Sequence, residues 1–200
     1  MDKFVLFSNP WWINFIILVP FIAYGFWHKK GLKISPKILI FAALFGIAFG
    51  FAEVFALIYL RVVAVAVLLH GYSGVSFDIA RFSPEIYQQA QVVSALPKNL
   101  MTVEIFRETS TITMLLCVVF LAAKQWRERF ALFLWTFAVW DVFFYIGLWI
   151  FIRWPSSLLS SDILFLIPVP WFSQVWYPLL ISTLSMVAVL VATKKSKGSL

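Results

Sequence analysis

Runs of about 18 or more apolar residues recur along this chain, each long enough to cross a hydrocarbon core of about 30 Å as a helix. They are continuously apolar and do not alternate, which rules out strands as the spanning elements. With no water in the bilayer core, the backbone amides must then be satisfied inside each helix. Composition agrees, since 62% of residues are hydrophobic and only 12% are charged. The expected fold is an all-α integral membrane protein, a single polytopic domain over residues 1–200. Five spans are read at about 11–27, 38–61, 104–123, 130–152 and 171–193. A short amphipathic helix is expected in the 71–103 connection.

Local signals refine this frame. The first run follows Asn9-Pro10, has no small-residue cleavage pattern after it and passes straight into a lysine-rich loop. It is read as a retained helix, bent near Pro20. The second run starts after Pro36 and stays apolar to Leu69, further than a bilayer needs. Its spanning part is expected to end near Arg61, a snorkelling interface anchor, with Val62 to His70 at or beyond the interface. Ala42, Gly46 and Gly50 recur every four residues, a small-residue stripe that lets another helix approach closely. Glu53 extends the stripe, so it is expected to face a neighbouring helix. Further on, Gly71-Tyr72-Ser73-Gly74 reads as a turn, and Ser83-Pro84-Glu85 as a capped helix start. Ile86, Ala90 and Val93 follow at helical spacing, up to Pro97. His28 and His70 stand at span ends and are read as interfacial residues. The single cysteine, Cys117, falls inside a span and excludes an intrachain disulfide.

The net charge of +7 would suggest nucleic acid in a soluble domain. Here its distribution speaks to orientation instead, and no nucleic-acid partner is expected. The 28–37 loop, the 124–129 loop and the C-terminal tail hold ten of the sixteen basic residues and one acid, Glu128. The positive-inside rule puts those segments in the cytoplasm and the N-terminus outside, in a cytoplasmic (inner) membrane. Trp11, Trp12, Trp149, Trp154, Trp171 and Trp176 then fall near the outer boundary as an aromatic belt.

Against this background, the stretch Glu104-Ile-Phe-Arg107-Glu108-Thr109-Ser110-Thr111 needs a reason. Counting about 1.5 Å per residue from the basic ends puts Asn14, Glu53, Arg107, Glu108, Asp141 and Tyr145 between about 18 and 25 Å up. Several helices thus place polar groups in one layer of the outer half of the bilayer, with Glu104 slightly higher. An intramembrane carboxylate costs roughly 2.5–3.5 kcal/mol on insertion scales, so each is expected to face the bundle interior with a partner. Glu104, Arg107 and Glu108 share a helical face. One guanidinium satisfies only one or two carboxylates, which leaves an acid to be met by a proton, a cation or a substrate group. The candidate binding residues are Glu53, Glu104, Arg107, Glu108, Thr111, Asp141 and Tyr145. The apolar, proline-punctuated 154–171 loop and the 84–96 helix are expected to cap an outward-opening cavity over them. The bland alternative is a set of buried ion pairs that only lock helix packing.

No His-Glu-x-x-His, Gly-x-Ser-x-Gly, Walker loop or Cys-x-x-Cys occurs. No cofactor is expected. A hard divalent cation on Glu53, Glu104, Glu108 and Asp141 is the one metal chemistry these residues allow. The leading function is binding or passing a small solute or ion through the acidic-plus-arginine site, in a homo-oligomer because five spans are few for a carrier. An enzyme acting on a membrane lipid, or a non-catalytic subunit or assembly factor of a membrane complex, are the alternatives.

Overall fold

The computed structural model describes residues 4–70 and 98–197, with side chains over 4–60 and 101–194. The turn at 71–74, the helix expected over 84–96 and the side chains of Arg61 and His70 lie outside these residues. A 3-10 helix, Trp11–Leu18, runs into α1, Val19–Trp27. There follow α2, Pro36–His70, α3, Lys98–Ala122, α4, Trp126–Ile152, and α5, Trp176–Lys197. Helix makes up 73% of the structure, and four helices are long and apolar enough to span a membrane. Those stretches are Pro36–Leu60, Met101–Ala122, Trp126–Ile152 and Trp176–Lys194, while Trp11–Trp27 is a shorter apolar helix.

Two expectations are corrected. The protein is not all-α, because β1, Ser161–Ile163, pairs antiparallel with β2, Phe172–Gln174, in a small sheet. The last helix therefore begins at Trp176 and not at Trp171. Pro168 and Pro170 lack the N–H a helix needs, and the residues beyond them find partners elsewhere. The Trp171 amide donates to the Phe165 carbonyl at 2.7 Å, and the Phe172 amide to the Asn9 carbonyl at 2.7 Å. Pro20, where a bend is expected, follows a change of winding from 3-10 to α. It sits in the first turn of α1, where its missing N–H leaves nothing unpaired, and the chain before it is wound as 3-10.

Helix α4 is the centre of the bundle, with 61% of its spanning stretch buried against 22% for α3. The small-residue stripe on α2 faces it. A Cβ added at Gly46 would lie 3.0 Å from the Thr136 carbonyl oxygen, and one at Gly50 would lie 3.0 Å from that of Trp140. Backbone cannot swing aside as a side chain can, so only glycine lets the two helices lie this close. At Gly147 on α4 an added Cβ would meet side chains instead, 2.9 Å from Val54 and 3.3 Å from Phe51.

The apolar core divides in two. One cluster, including Trp27, Leu32, Leu132 and Val189, lies near the basic segments, and the other joins Val54, Leu57, Leu148, Trp154 and Val175. Arg127 donates to the Gly31 carbonyl at 3.1 Å and the Leu32 amide to the Ala192 carbonyl at 3.1 Å, so the three basic segments meet at one end. At the other end, the N-terminal segment lies along β2. Asn9 pairs with Phe172, and the hydroxyls of Ser8 and Ser173 are 2.6 Å apart. Gln174 fixes this junction, its Oε1 accepting from the Val5 amide at 2.9 Å and the Trp176 indole at 3.1 Å.

Candidate functional site

Among the described residues, polar contacts tie the turns of α3 around Arg107 to its neighbours. Arg107 reaches across to the Glu53 carboxylate on α2 and also donates through Nε to Glu104 at 2.8 Å, one turn back on its own helix. The Thr111 hydroxyl donates to the other Glu53 oxygen at 2.7 Å. Glu53, Glu104 and Thr111 are all buried. This is the result of spacing: Glu104, Arg107 and Thr111 recur at three and four residues, which keeps them on one face of α3.

The neighbouring acid, Glu108, turns towards the hairpin. Its two oxygens accept from the Leu166 amide, at 3.1 and 2.9 Å. That amide sits in the 164–171 connection, outside the β1–β2 ladder, and the carboxylate supplies its partner. A second tie joins the hairpin to α4, where the Tyr145 hydroxyl donates to Asp162 at 2.7 Å. Asp162 also accepts from the Ile163 amide at 2.8 Å. On α4, Asp141 accepts from the Ser182 hydroxyl of α5 at 2.8 Å.

These ties surround one cavity of about 120 Å³, lined by Glu53, Arg107, Glu108, Thr111, Asp141, Tyr145 and Asp162 among its polar residues. Its apolar walls come from the 3-10 helix and from aromatic rings of α4 and the hairpin connection, including Phe137, Trp140, Phe144, Phe165 and Trp171. Six of the seven residues expected from the sequence thus meet at a single cavity. The seventh, Glu104, stands behind it as the second carboxylate on Arg107. From the 154–171 stretch, Asp162 to Phe165 and Trp171 line the cavity as parts of the β1–β2 hairpin and its connection.

Asn14 does not join this group. Its side chain is spent on the N-terminal turn, accepting from the Ser8 amide at 2.8 Å and donating to the Trp11 carbonyl at 2.7 Å. Thr109, Ser110 and Thr113 donate to carbonyls four residues earlier on α3, as hydroxyls in apolar helices do. His28 closes α1 by bonding the Gly25 carbonyl at 2.7 Å through its ring.

Asp162 and Ser182 are the site residues missed from the sequence. Ser182 had a usable signal, being a hydroxyl within an apolar helix at three-residue spacing from Ser185. Asp162 lay in a loop whose serines and proline suggested only turns. Among the described residues, no three acid, histidine or cysteine side chains are disposed to hold a metal ion. No protein-family model matches the chain, and neither does any curated protein or solved structure.

Proposed function

We propose that this chain is a five-span protein of the cytoplasmic (inner) membrane that binds a small solute or ion in the capped cavity and admits it from the outer face. The fifth span is the segment Trp11–Trp27. At about 2.0 Å per residue in its 3-10 half and about 1.5 Å in its α half, it reaches about 30 Å, the thickness of a hydrocarbon core. The gathering of the 28–37, 124–129 and C-terminal basic segments at one end supports a cytoplasmic position for that end. The hairpin and cavity then face outwards.

One observation carries the binding role. Among the described residues, four carboxylates, Glu53, Glu108, Asp141 and Asp162, line the cavity together with one guanidinium, Arg107, which already holds Glu53 and Glu104. Ion pairs that served only to lock packing would be balanced, and would be closed around without a void. Substituted-cysteine labelling in a Cys117→Ser background tests this reading. Cysteines at Asp162 and Ser182 should react with a small membrane-impermeant thiol reagent added outside, and a cysteine at Leu132 should not. Silence at both cavity positions, from either side of the membrane, would overturn it.

A further inference from the structure

We infer that the end of the bundle opposite the hairpin holds an anionic phospholipid by its headgroup phosphate, in a basic cavity between two connections. This stands apart from the solute cavity and requires only that the four long apolar helices cross a membrane. A cavity of about 360 Å³ lies there, between the α1–α2 connection and the start of α4. Its volume falls within the roughly 300–1,000 Å³ of ordinary ligand pockets. Its charged lining is Lys30, Lys33 and Arg127, with one acid, Glu128.

Lysines in short connections are usually solvated and speak only to topology. Packing makes these two more specific. Gly31 follows α1 in the left-handed region, at φ 64°, and its amide donates to the Trp27 carbonyl at 2.7 Å. Leu32 is 2% exposed, and its amide donates to the Ala192 carbonyl of α5 at 3.1 Å. Lys30 and Lys33 thus stand on either side of a buried, clamped pair of residues.

Arg127 is fixed as well. It is half-buried, and its Nη2 donates to the Gly31 carbonyl at 3.1 Å and reaches that of Phe26 at 3.5 Å. Among the described residues, its Nε and Nη1 make no hydrogen bond, and none of the three cations has an acid within 4.0 Å. A guanidinium held by one edge keeps donors for an oxyanion, which it binds in a planar, two-pronged geometry. Arg129 does not belong to this group, since it lies over the Phe120 ring at 4.4 Å and donates to the Ala123 carbonyl at 2.9 Å.

Position says where the phosphate comes from. The cavity adjoins the ends of spanning helices, where headgroups lie and where basic pockets bind acidic ones. Phe26, whose carbonyl Arg127 reaches, is 73% exposed, and Trp126, beside Arg127 in the chain, is 71% exposed. They leave apolar surface next to the cavity for acyl chains, which a soluble phosphate cannot use.

The test follows the anisotropy of a fluorescent phosphatidylglycerol binding to the purified full-length chain in maltoside micelles. Unlabelled phosphatidylglycerol should compete at least about tenfold better than phosphatidylcholine with the same acyl chains. Lys30→Gln combined with Lys33→Gln should weaken binding about tenfold or more. Lys124→Gln combined with Lys194→Gln removes the same charge from exposed lysines outside the cavity lining, and should change binding less than about twofold. Glu128→Gln removes the acid of the lining and should strengthen binding about three- to fivefold, a gain that misfolding does not produce. If the Lys30 and Lys33 double variant does not fold, the Glu128→Gln gain decides. Equal competition by the two lipids would overturn the inference. So would equal losses from the two lysine pairs, the mark of a diffuse positive surface. Displacement by inorganic phosphate at matched ionic strength, as effective as displacement by phosphatidylglycerol, would assign the cavity to a free anion and overturn the lipid.

Discussion

Replacing Arg107 with methionine should be among the most damaging single changes in the protein. The guanidinium holds Glu53 and Glu104, which are 5% and 4% exposed, on two different helices. Removing one member of a buried ion pair costs about 3–5 kcal/mol, because the partner is left charged and unmatched. Thr111 continues to donate to Glu53, which offsets about 1 kcal/mol, so a net loss of about 3 kcal/mol is expected. Adding Glu53→Gln to Arg107→Met removes one stranded charge and should return about 2 kcal/mol, although Glu53→Gln alone destabilises the parent. Reversible unfolding in mixed micelles, followed by tryptophan fluorescence across the four proteins of this cycle, measures the coupling. Additive losses, or a cost below about 1 kcal/mol for Arg107→Met, would refute the idea that this ion pair latches α3 to α2.

Other substitutions separate packing from polar docking. Gly50→Ala places a Cβ 3.0 Å from the Trp140 carbonyl oxygen and should cost about 1–3 kcal/mol in the same unfolding assay. Gly25→Ala, with nothing within 4 Å of the new Cβ, should be neutral or stabilising by up to about 1 kcal/mol. Tyr145→Phe leaves Asp162 without the hydroxyl that donates to it at 2.7 Å and should cost about 1–3 kcal/mol, with faster hydrogen exchange in the 161–174 hairpin. Glu108→Ala should raise amide exchange at Leu166 at least tenfold while leaving exchange in α4 unchanged, and Glu108→Gln should restore most of the protection.

Features whose physics is local were legible in the sequence. Continuous apolar runs gave the spanning helices, and the four-residue recurrence of Ala42, Gly46 and Gly50 identified the face on which α2 meets its neighbour. Counting residues from the basic ends also brought Glu53, Arg107, Glu108, Asp141 and Tyr145 to one depth, because helical rise is nearly constant. The same count grouped Asn14 with them, but depth says nothing about azimuth, and its side chain is spent on its own turn. The hairpin was not legible for a different reason. Its outer edge is bridged by Asn9, at the far end of the chain, and its inner ties run to Glu108 and Tyr145 on separate helices. A short strand whose partners are that distant has no periodicity to reveal it. Asp162 was lost with it, since its role appears only once the hairpin is folded over α4.

The most direct test of the cavity as a working site is infrared difference spectroscopy of the carboxyl region, recorded on protein in bilayers during perfusion with small amines and simple cations. Glu108→Gln and Asp141→Asn variants would assign the bands. Reversible shifts in the Glu108 and Asp141 bands with at least one solute, each absent from the matching variant, are predicted. A spectrum unmoved by every solute, with all carboxyl bands fixed, would contradict the account and leave the polar layer as a set of structural contacts.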